Sequence, residues 1–537
     1  MKKIYILFAT IITFTTIITR FVGLDKIPPH LSNDEISIAY DAYSVSKTLR
    51  DEHNQFLPIS FKSHGTYKTP LTVYLTSISV RFLGNSDFSA RLPSSLLGSL
   101  TVFILGLLAY ELTKNKVLAL FASGILAISP WHIYTSRMAL ETNIALFFLV
   151  GGLFLFFYCL HKSKKILLFA SFVFFALSVY AYHTQWGLTP LIVGILILLY
   201  RKKPFKVKTL LLGFLFFLFL IFPLFLNYLN NRGTTARANT EFLLTNDNLK
   251  GQIKKYPNNI FRQGQIVLSA VAGTYSYYIE PSHLFFNSLN LLPQGDPLQA
   301  GLILAPFLPM LIIGLFKVKK YFGENSTFVY LWLLFSPVIP ALTTGGSQAV
   351  RNLPFLAPCV LIIAAGCNEF IVWFRKSGAV VISYILLVLL SLFYFCALYY
   401  YFFPKESGEN YQYGYEQIAE FIFPRYENYN KIVIDPKFGE NYFFDGVPHL
   451  YIPYFTSLDP KYLQQRKEND PCGICFAKYE IRGVIWIKEK LQKQVLYIVP
   501  YSNRLPEELD NQMKILTEIR LPNNKPAFVI YEKNPNL

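Results

Sequence analysis

Asp34 and Glu35 are adjacent carboxylates at the end of a proline-flanked turn, Ile27-Pro28-Pro29-His30-Leu31-Ser32-Asn33-Asp34-Glu35. The turn follows closely on the first apolar segment and opens a helical run over residues 36–49. The same stretch ends in Gly65-Thr66-Tyr67-Lys68-Thr69-Pro70. A positioned carboxylate can take a proton from a hydroxyl, and a lysine ammonium can hold an anion as a point charge. An acid pair and a basic residue on one short loop of a very apolar chain suggest chemistry on something anionic and membrane-bound. The plain alternative is a helix N-terminus, where Ser, Asn, Asp and Glu all serve the orphan N–H groups and the dipole.

Further ionisable residues fall in other short segments. Trp131-His132-Ile133-Tyr134-Thr135-Ser136-Arg137 runs on to Glu141, and Arg137 and Glu141 are spaced to pair on one helix. Arg91 lies in Phe88-Ser89-Ala90-Arg91-Leu92-Pro93, His183 in Tyr182-His183-Thr184-Gln185-Trp186, and Arg351 follows Gln348-Ala349-Val350. Any one Lys or Arg at an interface could snorkel to lipid headgroups. Both signs of charge converging on one face is harder to explain that way.

The elements that must position these residues follow from composition. The 537 residues are 53% hydrophobic and 15% charged, against about 25% charged in a soluble protein. Mean hydropathy is +0.34. Apolar runs lie at 4–24, 88–112, 118–136, 143–160, 166–183, 186–200, 209–226, 298–316, 327–343, 352–374 and 379–403. Most can cross about 30 Å of hydrocarbon. Basic clusters separate them, at Lys2-Lys3, Lys114-Asn115-Lys116, 161–165, 201–208, 317–320 and Arg375-Lys376. With the N-terminus inside, every cluster falls on the cytoplasmic side, as the positive-inside rule asks. The net charge of +17 is therefore a matter of topology and anionic lipid, not nucleic acid. Met1-Lys2-Lys3 and the run after it resemble a signal peptide, but no small-x-small site follows and Arg20 closes the run. It reads as an uncleaved first transmembrane helix.

The chain is thus expected to be an all-α polytopic membrane protein with about eleven transmembrane helices. The segments 25–87, 227–297 and the tail from Pro404 are placed outside. Residues 71–83 are expected to form a helix lying at the membrane surface. In the tail, short apolar runs at 431–435, 483–487, 494–499 and 527–531 alternate with helical stretches such as 415–423. That pattern predicts a C-terminal α/β extracytoplasmic domain over 404–537, after a transmembrane domain over 1–403. Cys159, Cys359, Cys367 and Cys396 lie in apolar runs as core residues. Cys472 and Cys475 form a lone C-x-x-C, either a disulfide in an oxidising compartment or a turn with two thiols.

No phosphate-binding G-x-x-x-x-G-K-[ST] motif, H-E-x-x-H or G-x-S-x-G is present. A nucleotide-driven pump is excluded on that ground. A flippase or other transporter of lipid-linked sugar needs polar groups near the midplane, and the middles of these runs are apolar. A non-catalytic scaffold leaves the outer ionisable residues unexplained.

Taken in order, the single N-terminal span, Asp34-Glu35, Tyr67-Lys68-Thr69-Pro70-Leu71, Phe88-Ser89-Ala90-Arg91-Leu92-Pro93-Ser94, Ser129-Pro130-Trp131-His132 and Arg137-x-x-x-Glu141 carry a family resemblance. The chain resembles the bacterial protein O-mannosyltransferase and aminoarabinose-transferase group, GT-C fold glycosyltransferases of family 39. The motifs cover roughly residues 20–145 and the likeness thins through Arg351; in the tail it is architectural only. The resemblance implies a polyprenyl-phosphate sugar donor, a hydroxyl acceptor on protein, lipid or glycan, an outward-facing site in the cytoplasmic membrane, and inversion at the anomeric carbon. It implies Asp34 as catalytic base with Glu35 beside it, and Glu141 at the second acidic position. Lys68 and Arg91 would serve the donor phosphate, with Arg137, His183 and Arg351 as further cationic candidates. Thr69 stands where many members have Pro. No cofactor is expected; a divalent ion could use carboxylates of this kind, but the sequence shows no dense cluster of ligands.

Overall fold

The computed structural model describes residues 2–63, 66–201, 207–230, 242–286, 300–343, 349–439, 444–466, 473–509 and 511–534. The chain divides into two compact units, and neither is contiguous. One comprises Met1–Val22, Ile59–Thr72 and Ser94–Leu398; the other comprises Gly23–Pro58, Val73–Pro93 and Tyr399–Leu537. A single cut at 403/404 divides the sequence by composition, whereas the compact units follow tertiary packing. Helix Asn33–Thr48 packs against the tail helix Pro448–Phe455 and so joins the tail's unit.

Among its described residues the first unit is helical, apart from one short hairpin in which Phe61–Ser63 pairs with Thr66–Lys68 and an isolated bridge between Phe242 and Thr343. Every one of the eleven apolar runs contains helix. Six helices among the described residues are long and apolar enough to cross a membrane, and a bent pair, Lys116–Ala127 with Pro130–Ser136, is a seventh candidate. Lys165–Ala181 and Gln185–Tyr200 are apolar but shorter. The number is below eleven because several runs are broken or short, not because they are absent. Pro130 and the Pro337–Pro340 segment interrupt two of them, as a missing N–H and a ring clash require.

Burial orders the unit. Ala349–Trp373 is the most buried of the candidate spans. Its crossing with Phe307–Phe322 is backbone against backbone: a Cβ on Gly366 would lie 1.9 Å from the Met310 carbonyl oxygen, and one on Gly314 1.9 Å from that of Ile362. Small residues at such crossings let helices approach where the hydrophobic effect gives no drive. Helix Gly378–Ala397 instead leaves Ile385, Leu386, Leu390 and Phe393 exposed, as a lipid-facing surface would. The segment 227–297, expected as an outer loop, contains a 20-residue helix, Ile260–Ile279.

Buried Arg20 repairs the break at Pro130. A helix end leaves carbonyls without partners, and Arg20 donates from Nη1 to Ala127 O at 3.0 Å and from Nη2 to Leu126 O at 3.1 Å. The residue that closes the first apolar run therefore serves the end of another helix.

In the second unit, a six-stranded mixed sheet carries the tail. Its order is Ile474–Phe476, Tyr479–Ile481, Lys431–Ile434, Val495–Pro500, Pro526–Lys533 and Met513–Arg520. Lys431–Ile434 is parallel to both neighbours, and the other pairs are antiparallel. All six residues of Val495–Pro500 are buried, the continuous apolar run of a strand covered on both faces. Three of the four expected strands form. The fourth, at 483–487, does not: Val484 N–H donates to Asp435 Oδ2 at 3.2 Å and Val484 O accepts from Asn503 Nδ2 at 2.9 Å. Side chains thus take the backbone groups that a sheet ladder would need. Cys475 is disulfide-bonded; Cys472 lies outside the described residues.

Residues 23–58 and 73–93 are laced to the tail within this unit. Tyr451 Oη donates to Leu31 O at 2.6 Å, Asn85 Nδ2 to Tyr454 O at 2.8 Å, and Tyr43 Oη to Ser457 O at 2.9 Å. Helix Pro70–Leu83, at 14 residues, is present as expected and too short to span.

Candidate functional site

Ser32 caps helix Asn33–Thr48, and Glu35 completes a capping box. Ser32 N–H donates to Glu35 Oε2 at 2.9 Å, and Glu35 N–H returns the bond to Ser32 Oγ at 3.4 Å. The remaining face of the Glu35 carboxylate is taken by Arg91, whose Nε lies 3.0 Å from Oε1. Both side chains are fully buried. Arg91 uses its other donors on backbone: Nη1 reaches Leu24 O at 3.1 Å and Pro28 O at 2.9 Å, and Nη2 reaches His30 O at 2.5 Å and Glu35 Oε2 at 3.5 Å. A guanidinium has five N–H groups, and five contacts occupy them. Arg91, expected near a donor phosphate, here binds Glu35 and the proline-rich turn. Glu35, expected beside the base, is likewise committed to cap and ion pair.

Successive helical residues point about 100° apart. Burial of Glu35 therefore turns Asp34 outward, and Asp34 is exposed in the first turn of the helix. Of the two adjacent carboxylates, one is locked and one faces solvent at a helix N-terminus, where negative charge is favoured.

In the same unit, His30, Asp87 and Glu416 place one ligand atom each within 4.8 Å of one another. His30 Nδ1 is 3.3 Å from Asp87 Oδ2. Burial, with the Asp87 carboxylate next in importance, pushes Glu416 up to about 7. Sequence reasoning singled out none of these three, because nothing in the spacing of residues 30, 87 and 416 relates them.

The first unit holds Lys68, Arg137, Glu141, His183 and Arg351. Lys68 ends the hairpin strand Thr66–Lys68 and is buried. The next residue binds Glu141 twice: Thr69 N–H donates to Oε1 at 3.0 Å and Thr69 Oγ1 lies 2.9 Å from the same oxygen. Thr69 Oγ1 is also 2.7 Å from Ala181 O, two residues before His183. A hydroxyl has one proton, so it serves one of these acceptors at a time. Proline at 69 could make neither bond, so the departure from the family pattern has a structural use. Glu141 is the first residue of helix Glu141–Lys162 and is 8% exposed.

Arg137 and Glu141 do not share a helix, contrary to expectation. Pro130–Ser136 ends before Arg137, and the next helix starts at Glu141. Arg137 is buried and donates from Nη1 to Thr19 O at 3.2 Å. His183 is partly exposed, its ring 5.2 Å from that of Trp186. Arg351 lies in the short helical segment Ala349–Phe355 and donates from Nη1 to Thr343 Oγ1 at 2.8 Å.

Residues 67–226 match the family model described as Dolichyl-phosphate-mannose-protein mannosyltransferase. The "Putative mannosyltransferase YkcB" of Bacillus subtilis is 30% identical over 143 residues, which is 26% of this chain. That match spans 20% of the relative's own length. Among solved structures, ArnT from Cupriavidus metallidurans bound to undecaprenyl phosphate is similar over 98% of this chain and 97% of its own, with a TM-score of 0.57 at 12% identity. The apo oligosaccharyltransferase of Archaeoglobus fulgidus is similar over 84% of this chain and 64% of its own, with a TM-score of 0.49 at 12% identity.

Proposed function

The chain is a polytopic membrane protein of the GT-C fold, with a mannosyltransferase-family segment at residues 67–226, and from that premise we propose that it transfers a sugar from a polyprenyl-phosphate donor to a hydroxyl acceptor. ArnT was solved with undecaprenyl phosphate, which supports a donor of that lipid class. The observation that carries the catalytic reading is the split between Asp34 and Glu35. Glu35 is consumed by its cap and by Arg91, while Asp34 stays exposed on the same turn.

A hydroxyl is a weak nucleophile near neutral pH. Asp34 takes its proton as the new C–O bond forms. Inverting displacement needs one base, whereas retaining hydrolysis uses two carboxylates flanking one bond, so a single available carboxylate fits inversion. The departing lipid phosphate gains negative charge, and Lys68 stabilises it, with His183 and Arg351 as further cationic contributors. Glu141 positions Lys68 through Thr69. Arg91 positions the helix that carries Asp34. Arg137 has a backbone partner at Thr19 and is assigned to holding the broken segment before Glu141. The basic clusters favour an N-terminus in the cytoplasm and a tail outside the cell. A disulfide-bonded Cys475 also fits an oxidising, extracytoplasmic location for the tail.

The test supplies membranes containing the protein with radiolabelled polyprenyl-phosphate sugars and candidate protein, lipid and glycan acceptors. Transfer is expected with the unaltered chain and lost in Asp34→Asn, with expression and thermal unfolding unchanged. Full transfer by Asp34→Asn would sink the base assignment. Movement of donor across the bilayer without transfer would replace the enzyme reading by a flippase.

A further inference from the structure

We propose that His30, Asp87 and Glu416 form a binding site for one divalent transition-metal ion, zinc by preference, that clasps the tail to the turn preceding Asp34. The three residues come from separate segments of one unit: the proline-flanked turn, the first residue of helix Asp87–Thr113, and the first turn of helix Tyr415–Ile422. They bring one imidazole and two carboxylates, a ligand set used by three-ligand zinc sites that keep a fourth position for water. An imidazole selects against calcium and magnesium, which favour all-oxygen sites.

The geometry brings the three ligand atoms within 4.8 Å of one another, close enough for one ion to gather them. Metal–ligand distances of about 2.0–2.1 Å put tetrahedral ligands about 3.3 Å apart, and His30 Nδ1 lies 3.3 Å from Asp87 Oδ2. Without an ion the same two atoms remain within hydrogen-bond reach. Asp87 is 4% exposed, and its Oδ1 is shielded from solvent without a hydrogen-bond partner. Leaving such an oxygen unsatisfied is costly, and a cation beside it removes the cost. His30 is 1% exposed and its Nε2 is likewise without a hydrogen-bond partner. Its ring is held in a stack, 5.0 Å from Tyr451 and 5.3 Å from Phe455, so the imidazole is oriented before any ion arrives. Glu416 is only partly buried, which leaves a way in and freedom to close the ligand shell.

The consequence is mechanical. The His30 carbonyl accepts from Arg91 Nη2, which in turn holds Glu35. An ion on the His30 side chain would fix the other end of that residue. The clasp acts through the turn and touches no reacting atom, so these are positioning residues.

The test uses full-length protein in detergent, freed of affinity tag and stripped with chelator. It is then incubated with zinc, desalted, and its bound metal measured by mass spectrometry. About one zinc per chain is expected, with a rise in unfolding temperature on zinc addition. Asp87→Asn and Glu416→Gln should each drop bound zinc to background and abolish the rise. Glu416→Gln lies outside the Arg91–Glu35 network, so it decides the matter if Asp87→Asn does not fold. X-ray absorption of the loaded protein should show a nitrogen and oxygen shell with one imidazole. Absence of zinc in the unaltered chain, full stoichiometry in Glu416→Gln, or preferential retention of calcium or magnesium would each overturn the proposal.

Discussion

Arg91 shows how residue type and residue role can part. From sequence it is a cation near the outer end of a span, suited to phosphate. In the structure it meets one carboxylate and three backbone carbonyls, all buried. Removing one partner of a buried ion pair typically costs about 3–5 kcal/mol, because the other charge is left uncompensated. Arg91→Ala is therefore expected to lower the unfolding temperature of the purified protein sharply, and Arg91→Lys should rescue it only in part, since an ammonium cannot serve the same forked geometry. If Arg91→Ala instead unfolded normally but bound donor poorly, the phosphate role would be restored. Ser32-x-x-Glu35 was a legible capping box in the sequence. Its partner Arg91, 56 residues away, was not, since no local pattern encodes a contact of that range. The links from Thr69 to Glu141 and from His30 to Asp87 and Glu416 were hidden for the same reason.

At the scale of elements, the apolar runs became helices, because a backbone in hydrocarbon must satisfy its own hydrogen bonds, but some are split and the run at 298–316 is helical only from Phe307. How the helices meet is another matter. Gly314 and Gly366 let two helices approach to backbone contact. Gly366→Ala places a methyl group where a carbonyl oxygen already stands, and overpacking of this kind costs about 1–3 kcal/mol. We expect less monodisperse protein on fluorescence-detected size exclusion and a lower unfolding temperature. Gly194, with no atom within 4 Å of its would-be Cβ, supplies the control: Gly194→Ala should behave as the unaltered chain. Equal behaviour of the two variants would show that the crossing is not tightly packed. The missed helix Ile260–Ile279 and the missed strands Ile474–Phe476, Tyr479–Ile481 and Met513–Arg520 are mixed in polarity. Their periodicity is diluted, so hydropathy alone passed over them.

At the scale of the molecule, the tail's unit also contains Gly23–Pro58 and Val73–Pro93. One link is the ion pair of Glu52 with Arg466 at 3.1 Å, both largely buried. Burial alone would raise the Glu52 carboxyl; Arg466, with His53 and His449, outweighs it and holds the group below its ordinary 4.5. A carboxyl depressed on folding adds stability above its unfolded value and loses it as pH falls through the folded one. Thermal unfolding of the full chain should therefore weaken on acidification below 4.5. In Arg466→Gln the largest lowering influence on Glu52 is lost, so the loss of stability on acidification below 4.5 should shrink. An unchanged pH slope in Arg466→Gln would mean that the pair contributes nothing.

The sequence by itself determined that the chain is a helical membrane protein, which segments are apolar, that the tail differs in kind, and that an acid pair opens the helix after the first apolar run. These are local properties, written in composition and period. Tertiary structure alone decided which carboxylate is available. Glu35 is buried because Ser32 precedes it by one helical turn and Arg91 reaches it across the fold; Asp34 is exposed because the helix turns it away from both. The adjacent acids are chemically alike in isolation, and only the partners brought to one of them tell the two apart.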